Sequence, residues 1–204
     1  RDTPIFLPML FAALMGLRRG EICGLKYSDI DFTNRTIHVQ RQLGKRPCSK
    51  DNEPGGKTKT KQEIPLKTPS GNRILDIPVF VFEAIMEERI QYEKHRSRRK
   101  KEFQDLGYIC CSSYGRPRGR TYFWAPFKRL LREHGLPDIK WHGLRHTYTT
   151  ILLKAGCGLL AISHSLGHKK PFFSANVYGD DATLQVGLYP KCTGSVSDEQ
   201  EKAH

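Results

Sequence analysis

The sequence predicts an α+β fold that is mainly α-helical and carries a small antiparallel β-sheet. Residues 4–16 form a continuous apolar stretch that is too short to span a bilayer and suits a buried helix ending at Gly16. Apolar residues also recur at helical spacing over 79–96. Further helices are predicted at 121–134, at 143–156 closed by Gly156, and at 159–166 closed by Gly167.

The predicted sheet lies in the first half of the chain. Residues 36–40 alternate as a strand does, and two more strands are predicted over 63–68 and 73–78. The turn signal Pro69-Ser70-Gly71-Asn72 stands between these two strands and predicts a hairpin. Residues 44–62 hold two prolines, three glycines and six Lys or Arg, which predicts a long exposed loop or an extended, poorly covered hairpin.

Charge indicates the class of partner. The chain has 204 residues, a length suited to one domain with a substantial core or to two small ones. Its net charge is +13, with 34 Lys and Arg against 21 Asp and Glu. Such a surplus indicates a polyanionic partner, although a merely soluble basic domain is the simpler alternative. No apolar run approaches the roughly 20 residues that span a bilayer, so nucleic acid is favoured over a membrane surface.

Six cysteines stand at irregular spacings and form no CxxC pair. This pattern is typical of reduced thiols inside a cell and favours neither a disulfide framework nor a zinc ribbon. The first residues carry no signal-peptide layout. Because the chain lacks an initiator Met and leads straight into an apolar helix, we expect a fragment of a longer protein.

Two motifs place an arginine three residues from a possible partner. Arg18 follows an apolar helix and precedes Glu21, so a helix-terminal Arg–Glu pair is the simple structural alternative. Arg19 would point elsewhere on a helix, which leaves Arg18 as the candidate site residue. His142 and Arg145 are neighbours on one helical face, where an imidazole and a guanidinium can converge on one phosphate.

The string His142-Gly143-Leu144-Arg145-His146-Thr147 is more specific than a lone HxxR. We expect His146 to face away as a packed structural histidine and Tyr148 to lie in the core. His142/His146 and His164/His168 are HxxxH pairs, a spacing that also occurs in zinc sites. The first pair lacks the Glu of HExxH, and no third ligand is evident, so neither a metal nor another cofactor is predicted.

The last motif supplies a phenol. His168 follows Leu166-Gly167 at a predicted helix end, and Tyr178 comes ten residues later. One tyrosine among eight is ordinarily a core residue. Two arginines, a lysine, two histidines and a late tyrosine, however, form a site for metal-free attack on a phosphodiester. The cations hold the charge on the phosphate oxygens, and the phenol is the nucleophile.

These strings, in this order, resemble the catalytic domain of the tyrosine recombinase, or phage integrase, family. The resemblance spans roughly residues 4–180 and implies that family's mainly α fold with a small antiparallel sheet. The stretch before Tyr178 departs from the family pattern, with Pro171-Phe172-Phe173 replacing small and hydroxyl residues and Asp180 standing where a histidine is common. The catalytic residues that the resemblance implies are Arg18, Lys67, His142, Arg145, His168 and Tyr178, with Glu21 in support.

Lys67 is assigned through a hairpin. The family carries a lysine on a β-hairpin, from which the side chain reaches the leaving oxygen, and Leu66-Lys67-Thr68 before the predicted turn fits this arrangement. Nearby lysines at 57, 59 and 61 are the alternatives. The long insertion before Lys67 looks most like that of integrases from conjugative transposons.

The resemblance implies a site-specific recombinase that cuts and rejoins DNA to integrate and excise a mobile element. Its implied partners are double-stranded recombination sites, a homo-tetramer built from dimers, and accessory DNA-bending or excision factors, in the cytoplasm and with no membrane. Residues 1–180 would be the catalytic domain, without the N-terminal DNA-binding domains, and 181–204 a tail exchanged between protomers or folded back. The alternatives are a type IB topoisomerase and a catalytically silent DNA-binding module.

Overall fold

The computed structural model describes residues 3–45, 61–66 and 71–167. Within these ranges the α-helices are α1 (Phe6–Leu14), α2 (Arg19–Gly24), α3 (Val79–Arg99), α4 (Trp124–Glu133), α5 (Gly143–Lys154) and α6 (Leu159–Leu166). The strands are β1 (Ile30–Asp31), β2 (Thr36–Val39), β3 (Arg41–Lys45), β4 (Lys61–Pro65) and β5 (Arg73–Asp76). The predicted mainly α fold with antiparallel strands is therefore confirmed.

The described strands form two small antiparallel sheets. β2 lies at the centre of the first, between β1 and β5, with Thr36 opposite Asp76 and Val39 opposite Arg73. β3 and β4 form the second sheet. They pair from Arg41 opposite Pro65 to Lys45 opposite Lys61.

The predicted hairpin between strands 63–68 and 73–78 is wrong. The earlier strand pairs back with β3, and the later one pairs with β2. An alternating strand presents the same side-chain pattern to any partner, so a local turn signal between two strands does not decide which ones pair. The alternative of an extended hairpin for 44–62 holds at its base, where β3 and β4 pair. Residues 46–60 lie outside the described ranges.

The helices pack around α1, which contacts α2, α3 and α5. Phe11 on α1 is completely buried, and a fully buried side chain of this size contributes about 1.5–3 kcal/mol. The largest fully buried side chains come from both helices and strands and include Phe11, Ile22, Ile37, Ile85, Phe123 and Phe127. This core fixes the start of α2 against the rest of the domain.

Gly16 allows the turn between α1 and α2 to touch two other helices. Its φ is +63°, a left-handed conformation that favours glycine. A Cβ there would lie 2.4 Å from Cδ1 of Tyr148 and 2.9 Å from Cδ2 of Leu166. Tyr148, predicted to be a core residue, is half-buried against this turn. The turn therefore brings Arg18 next to α5 and α6.

The predicted helices are confirmed, with boundaries that shift by a few residues. α5 ends at Lys154, and Gly156 follows with φ +79°; α6 ends at Leu166, and Gly167 follows with φ +64°. None of the helices within the described ranges has the length and apolar character needed to cross a bilayer.

Candidate active site

The C-terminal end of α6 gathers three arginines that are far apart in sequence. The last carbonyls of a helix have no partner within it, and the helix dipole makes this end attractive to cations. Three consecutive carbonyls each accept a hydrogen bond from a different arginine. The donors are Arg73 Nε to Ser165 at 2.7 Å, Arg145 Nη2 to Leu166 at 2.7 Å and Arg18 Nη2 to Gly167 at 3.2 Å.

Glu21 links two of these arginines. Its side chain is 1% exposed, and its Oε1 accepts a hydrogen bond from Arg18 Nη1 at 2.8 Å. Its Oε2 accepts the backbone N–H of Arg18 at 2.9 Å. Arg73 Nη2 donates to Oε2 at 3.1 Å and Arg73 Nη1 to Oε1 at 3.4 Å. Each carboxylate oxygen thus receives a hydrogen bond from each arginine.

The charge of Glu21 is preserved despite its burial. Burial acts to raise the pKa of this carboxyl group, because a charged form is poorly solvated in the protein interior. The nearby charges and hydrogen bonds of Arg73 and Arg18 outweigh burial and hold the pKa below its ordinary value. Glu21 is therefore an anion at neutral pH, as the expected supporting role requires.

Arg145 lies at the base of the site. The residue is 4% exposed and extends from the first turn of α5. Its Nη1 donates to the carbonyl of Gly16 at 2.5 Å, while its Nη2 reaches the end of α6. The turn at Gly16 and the end of α6 thus hold the guanidinium from two sides. Arg18, only two residues after Gly16, binds the same end of α6, so the structure brings both predicted arginines together.

His142 lies at the start of the same helix and is open to solvent. Desolvation of the ring lowers its pKa, and electrostatic repulsion from His146, Arg145 and Arg18 lowers it further. A neutral imidazole at neutral pH has one nitrogen able to accept a proton. His142 therefore has the protonation state that a base in this site needs.

The prediction that His146 faces away as a packed residue is wrong. His146 is exposed, and its ring lies edge-on to that of His142 at a centroid distance of 4.9 Å. Residues four apart share a helical face, which explains the contact. No group of three or more His, Cys, Asp or Glu that could hold a metal occurs in the part of the chain that the structure describes.

Lys67, His168 and Tyr178 lie outside the described residues, and their roles stay predictions. The described chain ends next to them at two points. Gly167, which accepts a hydrogen bond from Arg18, directly precedes His168. Leu66, next to Lys67, lies against Gly71, where a Cβ would be 3.2 Å from that of Leu66.

Arg73 is the residue of this cluster to which the sequence alone assigns no role. It stands in the string after Lys67, directly behind the turn signal. Its partners Glu21 and Ser165 are 52 and 92 residues away, so neither spacing nor periodicity reveals them. The available signal is an arginine at the start of a strand that follows a predicted active-site lysine.

Comparison with known proteins assigns the chain to a family. The model of the phage integrase family matches residues 3–183. A XerC-like tyrosine recombinase of Caldanaerobacter subterraneus is 32% identical over 172 residues, which are 83% of this chain and 44% of that protein. The transposase from transposon Tn916 of Enterococcus faecalis is 27% identical over 171 residues, which are 80% of this chain and 39% of that protein. The chain thus spans less than half the length of these relatives.

Solved structures share the fold. The Tn1549 transposon integrase in complex with circular intermediate DNA superposes with a TM-score of 0.66 at 24% identity, over 84% of this chain and 54% of that chain. The XerH site-specific recombinase bound to difH substrate gives a TM-score of 0.56 at 19% identity, over 88% of this chain and 44% of that chain. The predicted similarity to transposon integrases is confirmed. On the family match over nearly all of its length, this chain belongs to the phage integrase family of tyrosine recombinases.

Proposed function

We propose that this chain is the catalytic part of a site-specific DNA recombinase that integrates and excises a mobile element. The observation that carries the proposal is the meeting of Arg18 and Arg145 at the carbonyls of Leu166 and Gly167, directly before His168. Two guanidinium groups held in place by carbonyls and a buried carboxylate suit the stabilisation of a charged phosphate. The family assignment supports DNA as the bearer of that phosphate.

The proposed reaction is a transesterification in two halves. The phenol oxygen of Tyr178 attacks the scissile phosphorus, and the bond from phosphorus to the 5′-oxygen breaks. The products are a 3′-phosphotyrosine and a free 5′-hydroxyl. Because the phosphodiester energy is kept in the covalent bond, a 5′-hydroxyl from a partner strand reverses the step and exchanges the strands without ATP.

Each proton has a proposed route. A phenol has a pKa near 10, so it is protonated at neutral pH and needs a base. The lowered pKa of His142 supports its role in taking this proton. Lys67 gives a proton to the departing 5′-oxygen. Arg18, Arg145 and His168 hold the non-bridging oxygens in the five-coordinate transition state.

The proposed partners follow from the charge and the relatives. The net charge of +13 suits double-stranded DNA. Relatives and neighbours include transposon integrases and recombinases solved with DNA, which favours a recombinase over a relaxing topoisomerase. We place the protein in the bacterial cytoplasm, as a tetramer on DNA assisted by accessory DNA-bending or excision factors.

The proposed domain division puts the catalytic domain at residues 1–180 and a tail at 181–204. The tail would dock on a neighbouring protomer, or fold back, and so restrain Tyr178 until the protein assembles on DNA. Both the tail and Tyr178 lie outside the described residues.

Covalent trapping tests the proposed function. The probe is a pool of nicked duplexes randomised around the nick, enriched with the unmodified chain for denaturant-stable adducts and then used for every variant. We expect adducts in excess EDTA, because arginines and a lysine supply the positive charge at phosphorus. Tyr178→Phe should abolish the adduct, and the matched control Tyr189→Phe should keep it. An adduct from Tyr178→Phe, or activity that returns only with magnesium, contradicts the proposal.

A further inference from the structure

Arg73 is fully engaged inside the protein. Its side chain is 7% exposed. The guanidinium donates to both oxygens of Glu21, to the carbonyl of Ser165 and, through Nη1, to the carbonyl of Gly71 at 3.0 Å. These four hydrogen bonds take up most of the five N–H groups of an arginine, which leaves Arg73 little capacity to bind a phosphate of DNA directly. Any effect of Arg73 on DNA cleavage must therefore pass through its neighbours.

Arg18 shares the same carboxylate but is far more open. Its side chain is 40% exposed, against 7% for Arg73 and 1% for Glu21. Two arginines around one carboxylate leave one positive charge in excess. Because Arg73 is the enclosed partner, its charge offsets that of Glu21, and the excess charge lies on the exposed Arg18.

Without Arg73 the net charge around Glu21 would change. Glu21 would then have Arg18 as its remaining ion-pair partner among the described residues, and the charge and backbone N–H of Arg18 still act to lower the pKa of its carboxyl group. The pair would then be neutral as a whole, and Arg18 would attract a phosphate less strongly. Because Glu21 is buried, solvent screens its attraction for the half-exposed Arg18 less than it screens an ion pair on the surface.

We infer that Arg73 is a positioning residue for strand cleavage. It neutralises Glu21 and thereby leaves the positive charge of Arg18 available to the scissile phosphate. This inference rests on the proposed function. The hydrogen bonds of Arg73 to Ser165 and Gly71 fix its guanidinium between the end of α6 and the residues just before β5, which explains why an arginine with several donors occupies the position.

Charge-balanced variants test the inference. Arg73→Met removes one positive charge, and the double variant Arg73→Met with Glu21→Gln removes both members of the internal pair. Arg73→Lys keeps the charge but gives up the forked hydrogen bonding. The matched control is Arg41→Met, which removes an arginine from another buried carboxylate, Asp29. Cleavage rate at saturating DNA, DNA affinity and the melting temperature are measured for each variant on the enriched pool of nicked duplexes.

Arg73→Met should slow cleavage by about 10-fold to 100-fold, the scale of loss seen when the outer partner of a metal-binding side chain is removed, and should weaken DNA binding far less, because the duplex offers many other phosphates. The double variant should regain most of this loss, and Arg73→Lys should lose less than Arg73→Met. Arg41→Met should leave the cleavage rate of the folded protein unchanged. If Arg73 had a purely structural role, the double variant would cleave DNA more slowly than Arg73→Met, since it removes more hydrogen bonds.

Two results would overturn the inference. One is a double variant as slow as Arg73→Met alone while still folded by circular dichroism. The other is Arg73→Met cleaving at the unmodified rate. Failure of the proposed function itself gives a different result, namely no adduct from the unmodified chain on any duplex in the pool.

Discussion

Arg18 and Arg41 each pair with a carboxylate that is 1% exposed, but their surroundings differ in net charge. The first group is called here the site cluster and consists of Arg18, Glu21 and Arg73. The second is called the hairpin cluster and consists of Lys26, Asp29, Arg41 and Glu63, at the base of β3 and β4. The site cluster has two cations for one anion, and the hairpin cluster has two cations for two anions.

The hairpin cluster pairs its cations with its own anions. Arg41 Nη1 donates to Oδ2 of Asp29 at 2.6 Å, and its Nε lies 3.6 Å from Oε2 of Glu63. Lys26 Nζ lies 2.6 Å from Oε1 of Glu63. These contacts fix β3 and β4 to the segment before β1. A balanced cluster of this kind stabilises the fold and has no net charge to offer a ligand.

The two clusters differ in the property that marks a binding site for a charged ligand. A buried ion pair by itself is weak evidence for either stability or function. An excess of one sign, carried by the more exposed member and placed beside a helix end that leads to residues with proposed catalytic roles, points to an oppositely charged ligand. The site cluster meets these conditions, and the hairpin cluster does not.

The largest expected effect comes from exchanging one arginine of each cluster for a neutral side chain. Arg18→Met should slow DNA cleavage by about 10²-fold to 10³-fold, the usual loss for one donor to a transition-state charge. Arg41→Met should leave the cleavage rate per folded molecule unchanged and should lower the melting temperature instead. Single-turnover trapping and thermal unfolding of the two variants side by side measure both effects. A slow but stable Arg41→Met variant would break the comparison.

The sequence reveals the site cluster only in part, because its motifs are local. Arg18 with Glu21 and His142 with Arg145 are each three residues apart, so helical spacing alone predicts that the members of each pair lie side by side. Arg73 meets its partners only after β5 has paired with β2, and no local pattern contains that information.

The sheets show the same limit. The alternation of apolar and polar residues predicts the strands themselves but not their pairing. Because β3 begins two residues after β2 ends, β4 and β5 each have a different strand to pair with instead of pairing with each other. The exposure of His146 escapes prediction for a related reason. Helical spacing places it beside His142 but does not say whether that face of α5 is covered by another element.

The second effect tests the structural role of the hairpin cluster. Asp29→Asn should lower the free energy of unfolding by about 3 kcal/mol, because it leaves the partly buried Arg41 without its closest anion. Glu63→Gln is the matched control. Since Glu63 is 42% exposed, its loss should cost only about 0.2–1 kcal/mol. Urea unfolding of both variants gives the values. Equal losses of unfolding free energy would show that the buried Asp29 contributes no more to stability than the exposed Glu63.

The smallest expected effect is on the stability of the fold at acidic pH. The pKa of Glu21 is lowered in the folded protein, so the carboxylate stabilises the fold above its ordinary pKa of 4.5 and loses that contribution as the pH falls below it. Glu21→Gln cannot lose a charge in acid. Its free energy of unfolding should therefore fall less steeply below pH 4.5 than that of the unmodified chain. Urea unfolding between neutral pH and acid measures this, and parallel curves would mean that Glu21 does not contribute.

The most direct test of the account removes the charge from the substrate instead of the protein. One nicked duplex from the enriched pool is made with the scissile phosphate as a neutral methylphosphonate, and the unmodified chain is compared with Arg18→Met on both duplexes. If the excess charge of the site cluster acts on the phosphate, Arg18→Met should cleave the phosphate duplex much more slowly than the unmodified chain does. On the methylphosphonate duplex the two proteins should cleave at nearly the same rate. An equal loss of cleavage rate on both duplexes would show that Arg18 serves the fold or the general binding of DNA and does not act on the charge of the scissile phosphate.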